Sequence, residues 1–201
     1  MEDLTSLHLL RSLETAAGLE LAGLDRLASV IRTTAIPARG AAFHEDEPCP
    51  RVFVVREGLF KQLYTDDDGN EWVKSFAREG EAFACPVALS GGRTSFASIA
   101  IEPSVVESLD WSAVEALGAA DLAWQTAIRL GFQRLAELKV RRERDLLMLN
   151  AEQLYRQLAA ASPDLIGRVP QKDLAAYLGV TAVGLNRIVK RVAARPAGRP
   201  R

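Results

Sequence analysis

The chain is poor in the residues that build chemistry. Its 201 residues include only two cysteines and two histidines. Cys49 and Cys85 cannot make a disulfide framework. A metal-dependent cupin-type barrel needs a cluster of His and carboxylate ligands. With only His8 and His44 to draw on, no metal site is expected. No Ser/His/Asp arrangement and no phosphate-binding glycine loop stands out, so no catalytic residue is assigned and the chain is not read as an enzyme. Long hydrophobic runs are missing too. No stretch of about 18 apolar residues exists, so no membrane span is expected. The start, Met1-Glu2-Asp3-Leu4, is acidic and lacks the basic-then-apolar form of a signal peptide. These absences point to a reduced, soluble, cytoplasmic protein.

What is present is ordinary in amount and uneven in placement. A content of 48% hydrophobic and 25% charged residues is enough for a core. The net charge of −1 hides an asymmetry. Leu146 to Arg201 carries nine Lys/Arg against three Asp/Glu, while Met1 to Asp145 carries 16 against 23. A basic C-terminal quarter points to a polyanionic partner for that part alone. The alternative is a solvated tail, since Arg195, Arg199 and Arg201 lie among Pro and Gly.

Periodicity divides the chain. The first 32 residues read as helix, with Leu9, Leu10, Leu13 and Ala17 on one stripe. Leu21, Leu24, Leu27, Ala28 and Ile31 form a second stripe, and Gly18 separates the two. From Thr33 to about Leu109 come short β-prone runs, at residues 51–55, 59–64, 71–76, 94–101 and 104–109. Asp66-Asp67-Asp68-Gly69-Asn70 between two of them is a hairpin signal, because Asp-Gly and Gly-Asn tolerate positive φ. Regularly spaced short strands predict a small antiparallel barrel or sandwich. Asp110 to Leu117 is a short helix or turn ended by Gly118, and a long helix follows from about Asp121 to Leu149. There Trp124, Ile128, Gly131, Leu135 and Leu138 alternate at spacings of four and three, the pattern of a short coiled-coil seam. A symmetric dimer would use it; packing against the chain's own barrel is the alternative. The charged run Lys139 to Asp145 reads as an exposed hinge, unless it is one more solvated helical turn. The expected domains are therefore 1–120 (barrel with N-terminal helices), 121–145 (dimerisation helix and hinge) and 146–201.

The last segment is the most informative. Pro170 suits a helix start, where its missing N–H costs nothing. Gln171 to Leu178 continues as helix, with Leu174, Ala175 and Leu178 on the apolar face. Gly179 ends it, since a left-handed residue is cheap only for glycine. Thr181 caps a second helix, Ala182 to about Ala193, which turns Leu185, Ile188, Val189 and Val192 inward. Two short helices around a glycine turn match the helix-turn-helix unit, with an ordinary helical hairpin as the bland alternative. In that unit the second helix enters the major groove of double-stranded DNA. Its outward positions are Ala182, Val183, Gly184, Asn186, Arg187, Lys190 and Arg191. Arg187 can pair with guanine and Asn186 with adenine. Lys190 and Arg191 suit phosphate, as do Gln171 and Thr181 at the helix starts. Ala182 and Val183 offer only apolar contact.

Several runs resemble the Crp/Fnr family of bacterial regulators. They are Ala151-Glu152-Gln153-Leu154-Tyr155, Pro163-Asp164-Leu165, Arg168-Val169-Pro170-Gln171-Lys172, Ala175 to Thr181, and Leu185-Asn186-Arg187-Ile188. Upstream, Phe53 to Leu59 and Asp68-Gly69-Asn70-Glu71 resemble that family's barrel. The resemblance implies an α+β fold. An antiparallel β-barrel of the cyclic-nucleotide-binding jelly-roll type comes first, then a long dimerisation helix, then a winged helix-turn-helix domain. It further implies a homodimeric transcription regulator that reads a two-fold symmetric operator, with RNA polymerase as a further partner. After the second helix only Ala193 to Arg201 remain for the family's wing.

The departures bear on the effector. Cyclic-nucleotide-binding members carry a Gly-Glu pair and, further on, an Arg followed by Ser or Thr. Arg93-Thr94 fits the second half, but Ala84-Cys85 stands in place of Gly-Glu. Glu81 is the nearest carboxylate and sits too early, and Pro86 removes a backbone donor. Glu81, Arg93 and Thr94 are the candidate effector contacts, with cyclic AMP disfavoured. Iron–sulfur members use an N-terminal cysteine cluster, and no cysteine precedes Cys49. Cys49-Pro50 and Cys85-Pro86 resemble short haem-responsive motifs, with His44 as a second ligand. A redox-active thiol is another reading, and inert cysteines are the plain one. The effector is unassigned: haem and no cofactor at all are both open. A signalling module that uses its C-terminal helices for protein contacts is the alternative function.

Overall fold

The computed structural model describes residues 20–194 together with His8, Glu14, Thr15 and Gly18. The expected stripe Leu9, Leu10, Leu13 and Ala17 lies outside the described residues, as do Arg195, Arg199 and Arg201 of the C-terminal end. Among the described residues, helix α1 spans Leu24–Ala28. Eight strands follow: β1 Arg32–Ile36, β2 Ala41–Phe43, β3 Arg51–Glu57, β4 Leu59–Thr65, β5 Glu71–Arg78, β6 Ala82–Phe83, β7 Ala97–Ala100 and β8 Ser104–Asp110. A one-turn helix, α2, Pro86–Leu89, lies between β6 and β7. Two four-stranded antiparallel sheets result, ordered β1-β8-β3-β6 and β2-β7-β4-β5. This is the expected jelly-roll barrel.

Strand β3 explains the layering. Side chains alternate across a strand, and β3 is apolar on both faces. Phe53 and Val55 point into the barrel with Phe43, Phe60, Phe83 and Phe96. Val54 points the other way, against Leu21, Leu27, Leu109, Val114 and Trp124. The barrel interior is thus filled by aromatic rings: Phe53 stacks on Phe83 with centroids 5.1 Å apart, and Phe43 meets Phe96 edge-on at 5.4 Å. At the β3–β4 turn Gly58 has φ +96, and a Cβ there would collide with the side chain of Ser104. The Asp66–Asn70 hairpin forms as its sequence implies. One Asp66 carboxylate oxygen accepts from the backbone N–H of Asp68 (3.1 Å) and of Asn70 (2.8 Å), while Gly69 takes φ +80.

After the barrel come α3 (Trp111–Ala120) and the long α4 (Leu122–Met148), which Asp121 caps by accepting from the N–H of Ala123. The C-terminal domain comprises α5 (Ala151–Ala161), α6 (Pro163–Arg168), α7 (Gln171–Leu178) and α8 (Ala182–Ala194). An Asn150/Gln153 capping box starts α5. This domain packs on the outer face of the second sheet. Leu59 joins its core, and Leu63, Val73 and Ala97 face Ala176 and Tyr177.

Three expectations are corrected. The segment before Thr33 is not wholly helical, because β1 begins at Arg32 and pairs with β8 from Arg32↔Ser108 onward. The charged run Lys139 to Asp145 is not a break. It continues α4 to Met148, and the chain turns at Leu149 and Asn150 instead. Trp124 is not available to a partner helix. Trp124 is buried against the chain's own barrel and donates its indole N–H to the Ala22 carbonyl at 2.6 Å; Ile128 packs on the same cluster.

Candidate nucleic-acid interface

Helix α8 is built as a two-faced element. Leu185 and Ile188 are buried against Leu154, Leu165, Leu174 and Leu178, with Val189 and Val192 at the edge. Gly179 holds the turn before it in the left-handed region, φ +68 and ψ 31. A Cβ there would meet open space, so backbone conformation alone calls for glycine. The Thr181 hydroxyl accepts from the Gly184 N–H at 3.1 Å and satisfies one free donor at the start of α8.

The opposite face is open. Gln171, Thr181, Ala182, Val183, Asn186, Arg187, Lys190 and Arg191 are exposed, and Gly184 is half-buried. Val183 has 64% of its surface free, which suits an apolar contact with a base edge. Arg191 differs from the other cations here. It donates to Glu152 of α5 at 2.8 Å, and Glu152 also binds Arg156 at 3.2 Å. These two guanidiniums, Arg191 foremost, hold the Glu152 carboxyl below the usual range. Glu152 is a residue that sequence reading passed over. Lys172, at the start of α7, was also missed; its side chain is 79% exposed and lies 3.8 Å from Glu71. Its i+1 position beside Gln171 was the signal available.

The candidate effector contacts are not brought together into one cradle. Glu81 pairs with Arg78 at 3.2 Å. Arg93 is neutralised by Asp46 at 2.6 Å and donates to the Asp46 carbonyl. The Thr94 hydroxyl donates to the His44 carbonyl and accepts from the Glu47 N–H. Each is satisfied locally, around a barrel whose centre is occupied by phenylalanines.

Cys85 is buried beside them. Burial opposes its ionisation, but the Ser95 N–H at 3.3 Å, the Ser95 hydroxyl and the amides of Val87 and Ala88 outweigh it and hold the thiol below its usual range. Cys49 is half-buried, and burial pushes its thiol up. Among the described residues no group of three or more His, Cys, Asp or Glu is placed to hold a metal ion, and no helix is long and apolar enough to cross a membrane.

Of the expected dimer positions, Gly131 and Leu135 are half-buried and Leu138 is 52% exposed. A Cβ at Gly131 would meet nothing within 4 Å. This part of α4 faces away from the chain's own core.

Residues 35–121 match the model of the cyclic nucleotide-binding domain. No curated protein matches the chain in sequence. Among solved structures, the chain is similar to FixK2 from Bradyrhizobium japonicum, with 21% identity and a TM-score of 0.65 over 85% of this chain and 90% of that one. It is also similar to the c-di-GMP responsive global regulator CLP of Xanthomonas campestris, with 18% identity and a TM-score of 0.64 over 88% and 95%. The catabolite activator protein of Thermus thermophilus gives 21% and 0.54 over 93% and 91%. The common ground is the fold: an antiparallel barrel, then helices that include a C-terminal helical domain.

Proposed function

We propose that the chain is a DNA-binding transcription regulator of the Crp/Fnr type that acts as a homodimer and recruits or excludes RNA polymerase at its operators. The observation that carries this is the outer face of α8. Asn186, Arg187 and Lys190 stand exposed there behind a helix-turn-helix whose core is closed. Among the described residues none of the three is engaged by a side chain of its own chain. Arg187 and Asn186 read base edges in the major groove, while Lys190, Gln171 and Lys172 meet phosphate. Gly131, Leu135 and Leu138 form the dimer face, where the missing side chain at Gly131 lets a second helix approach closely. The packed interior of the barrel and the neutralised Arg93 support a barrel that does not take a cyclic nucleotide in the family's manner.

The test is selection of bound duplexes from a random library, with Arg187→Ala in parallel. The expected result is a symmetric motif with half-sites about one helical turn apart. Arg187→Ala is expected to blur one base per half-site and cost about 1–3 kcal/mol. If the wild-type chain selects no motif and its affinity is indifferent to salt, the DNA-reading assignment falls. The C-terminal helices would then be read as a protein-contact surface.

A further inference from the structure

The turn at Leu149 and Asn150 leaves the angle between α4 and the C-terminal domain to side chains on either side of it. Arg142 of α4 lays its guanidinium on the ring of Tyr177 in α7, 3.8 Å from the centroid, and donates to the Tyr177 carbonyl. The same ring meets Phe76 of β5, with centroids 5.1 Å apart. Tyr177 thus touches the long helix and the barrel at once. Further along α4, Asp145 is buried and accepts from Gln157 of α5 at 3.1 Å. At the start of α7, Asp173 holds Lys61 of β4 at 2.8 Å.

Arg142 is fixed in this place by geometry more than by charge. Its Nε is buried and has no hydrogen-bond partner, a cost that a guanidinium swung out into solvent would not bear. The stack on Tyr177 and the bond to its carbonyl hold it in. A planar guanidinium can do both together, and a lysine ammonium cannot.

Tyr177 stands just before Leu178 and the Gly179 turn, and Leu174 and Leu178 of α7 pack on Leu185 and Ile188 of α8. Whatever fixes Tyr177 therefore fixes α8. Half-sites on DNA follow its screw. One base pair more or less between them is about 3.4 Å along the axis and about a tenth of a turn around it. Two α8 helices joined through a pair of α4 helices match a single spacing only while the angle between α4 and α7 is held.

We propose that Arg142 and Tyr177 are positioning residues that set the separation between the two half-sites the dimer accepts. Neither belongs to the open face of α8, so they act on operator choice through the placing of Asn186 and Arg187. The role rests on the DNA reading proposed for α8 and adds a selectivity that base contacts do not supply.

The experiment has two arms. In the first, without DNA, nitroxides are attached at Glu57→Cys on β3 and Ala193→Cys on α8, both exposed positions, with the half-buried Cys49 replaced by serine. Labelled chain is diluted into unlabelled chain, and double electron–electron resonance gives the distance distribution. Intact Arg142 and Tyr177 should give one narrow distance. Arg142→Gln and Tyr177→Ala should broaden it, while Tyr177→Phe, which keeps both ring contacts, should not. In the second arm, unlabelled proteins select duplexes from a random library, and the separation between recovered half-sites is read. The wild type and Tyr177→Phe should accept one spacing and bind a site one base pair longer or shorter at least about tenfold more weakly. Arg142→Gln and Tyr177→Ala should bind adjacent spacings within about threefold of one another, with base preference inside each half unchanged. A narrow distance or a single spacing in both Arg142→Gln and Tyr177→Ala overturns the proposal, as does base preference lost along with spacing, the mark of an unfolded domain. A wild type that selects no motif overturns the DNA reading of α8 and the spacing role with it. One motif at the same spacing from all four proteins removes the spacing role alone.

Discussion

Lys61 on strand β4 and Asp173 on helix α7, 112 residues apart in sequence, form an ion pair of 2.8 Å across the boundary between barrel and C-terminal domain. Both side chains are nearly closed off from solvent, at 13% and 10% exposure, and Glu71 adds a second contact to Lys61 at 2.7 Å. Burial works against the Lys61 charge, but the two carboxylates outweigh it and hold the amine above its usual range. Around this pair the boundary is apolar: Phe76 lies against Tyr177 with ring centroids 5.1 Å apart. Arg168 adds contacts to Glu79 at 2.6 Å and to Glu102. The C-terminal domain is thus fastened to the second sheet through α6 and α7, away from the open face of α8.

Removing one partner of a buried pair strands the other. Lys61→Ala leaves the buried Asp173 without its cation and Glu71 with only the exposed Lys172, 3.8 Å away, and is expected to cost about 3–5 kcal/mol. Lys61→Met/Asp173→Leu, which removes both charges from the boundary, should recover most of that loss. Urea unfolding of the single and double variants gives the comparison. A loss below about 1 kcal/mol in Lys61→Ala would show that the pair holds nothing together.

The Glu79 carboxylate gives the boundary an acid dependence. Its bonds to Arg168, together with the Gly58 N–H at 3.0 Å, overcome burial and bring it from 4.5 down to about 2. A carboxylate depressed in the folded state contributes stability that is full above its unfolded value and is lost as pH falls through the folded one. The window is therefore from about pH 4.5 down to about pH 2. Glu79 is 42% exposed, so solvent screening keeps the effect small. Between pH 5 and pH 2.5 the wild type should lose more stability than Glu79→Gln. Parallel curves for the two proteins would remove Glu79 from the account.

The elements that sequence revealed are those whose pattern is local. Gly179 between two apolar stripes marked α7 and α8, and Asp66 to Asn70 marked a hairpin that folds by its own side-chain bonds. The barrel was legible from runs such as Arg51 to Val55, whose apolar faces are both covered. β1 was not, because only Ile36 in it is buried and no alternation appears. Lys139 to Asp145 misled for a different reason. Lys, Arg and Glu are good helix formers, so a charged run continues a helix as readily as it ends one. Asn150, which caps α5, was the better sign of the turn. Trp124 showed the limit of a heptad pattern, which says that a face is covered but not by which chain. Ion pairs such as Lys61 with Asp173, and the stacking of Arg142 on Tyr177, leave no trace in a linear sequence.

Lys74 predicts an alkaline dependence of the same sense, stability rising with pH. Its amine falls from 10.5 to about 8 on folding, through burial and the facing Lys139 charge. As pH rises from about 8 towards 10.5 the folded chain releases this proton before the unfolded chain does, so stability rises across that window. The other groups that meet Lys74 are the Cys85 thiol and the Tyr64 and Phe96 rings. Lys74→Met should remove the rise and give a flatter profile between pH 8 and pH 10. Stability that rises equally in the wild type and in Lys74→Met would place its origin in other groups.

Glu152 predicts a gain rather than a loss. Arg191 stands on the helix that is proposed to enter DNA, yet its guanidinium is held at 2.8 Å by Glu152, which also engages Arg156. A cation already paired has less to give to a phosphate, and the Glu152 charge itself repels the DNA backbone. Glu152→Ala should free Arg191, tighten binding to duplexes of any sequence and steepen the fall of affinity with salt by about one unit of log–log slope. Base preference should stay as it is, because Asn186 and Arg187 are untouched. Arg191→Ala should then change affinity little in the wild type and substantially in Glu152→Ala, a non-additivity expected of two residues in contact. Fluorescence anisotropy at several salt concentrations measures all four proteins. An unchanged slope in Glu152→Ala would mean that Arg191 lies outside the phosphate track, and that contact with the backbone falls to Lys190, Gln171 and Lys172 alone.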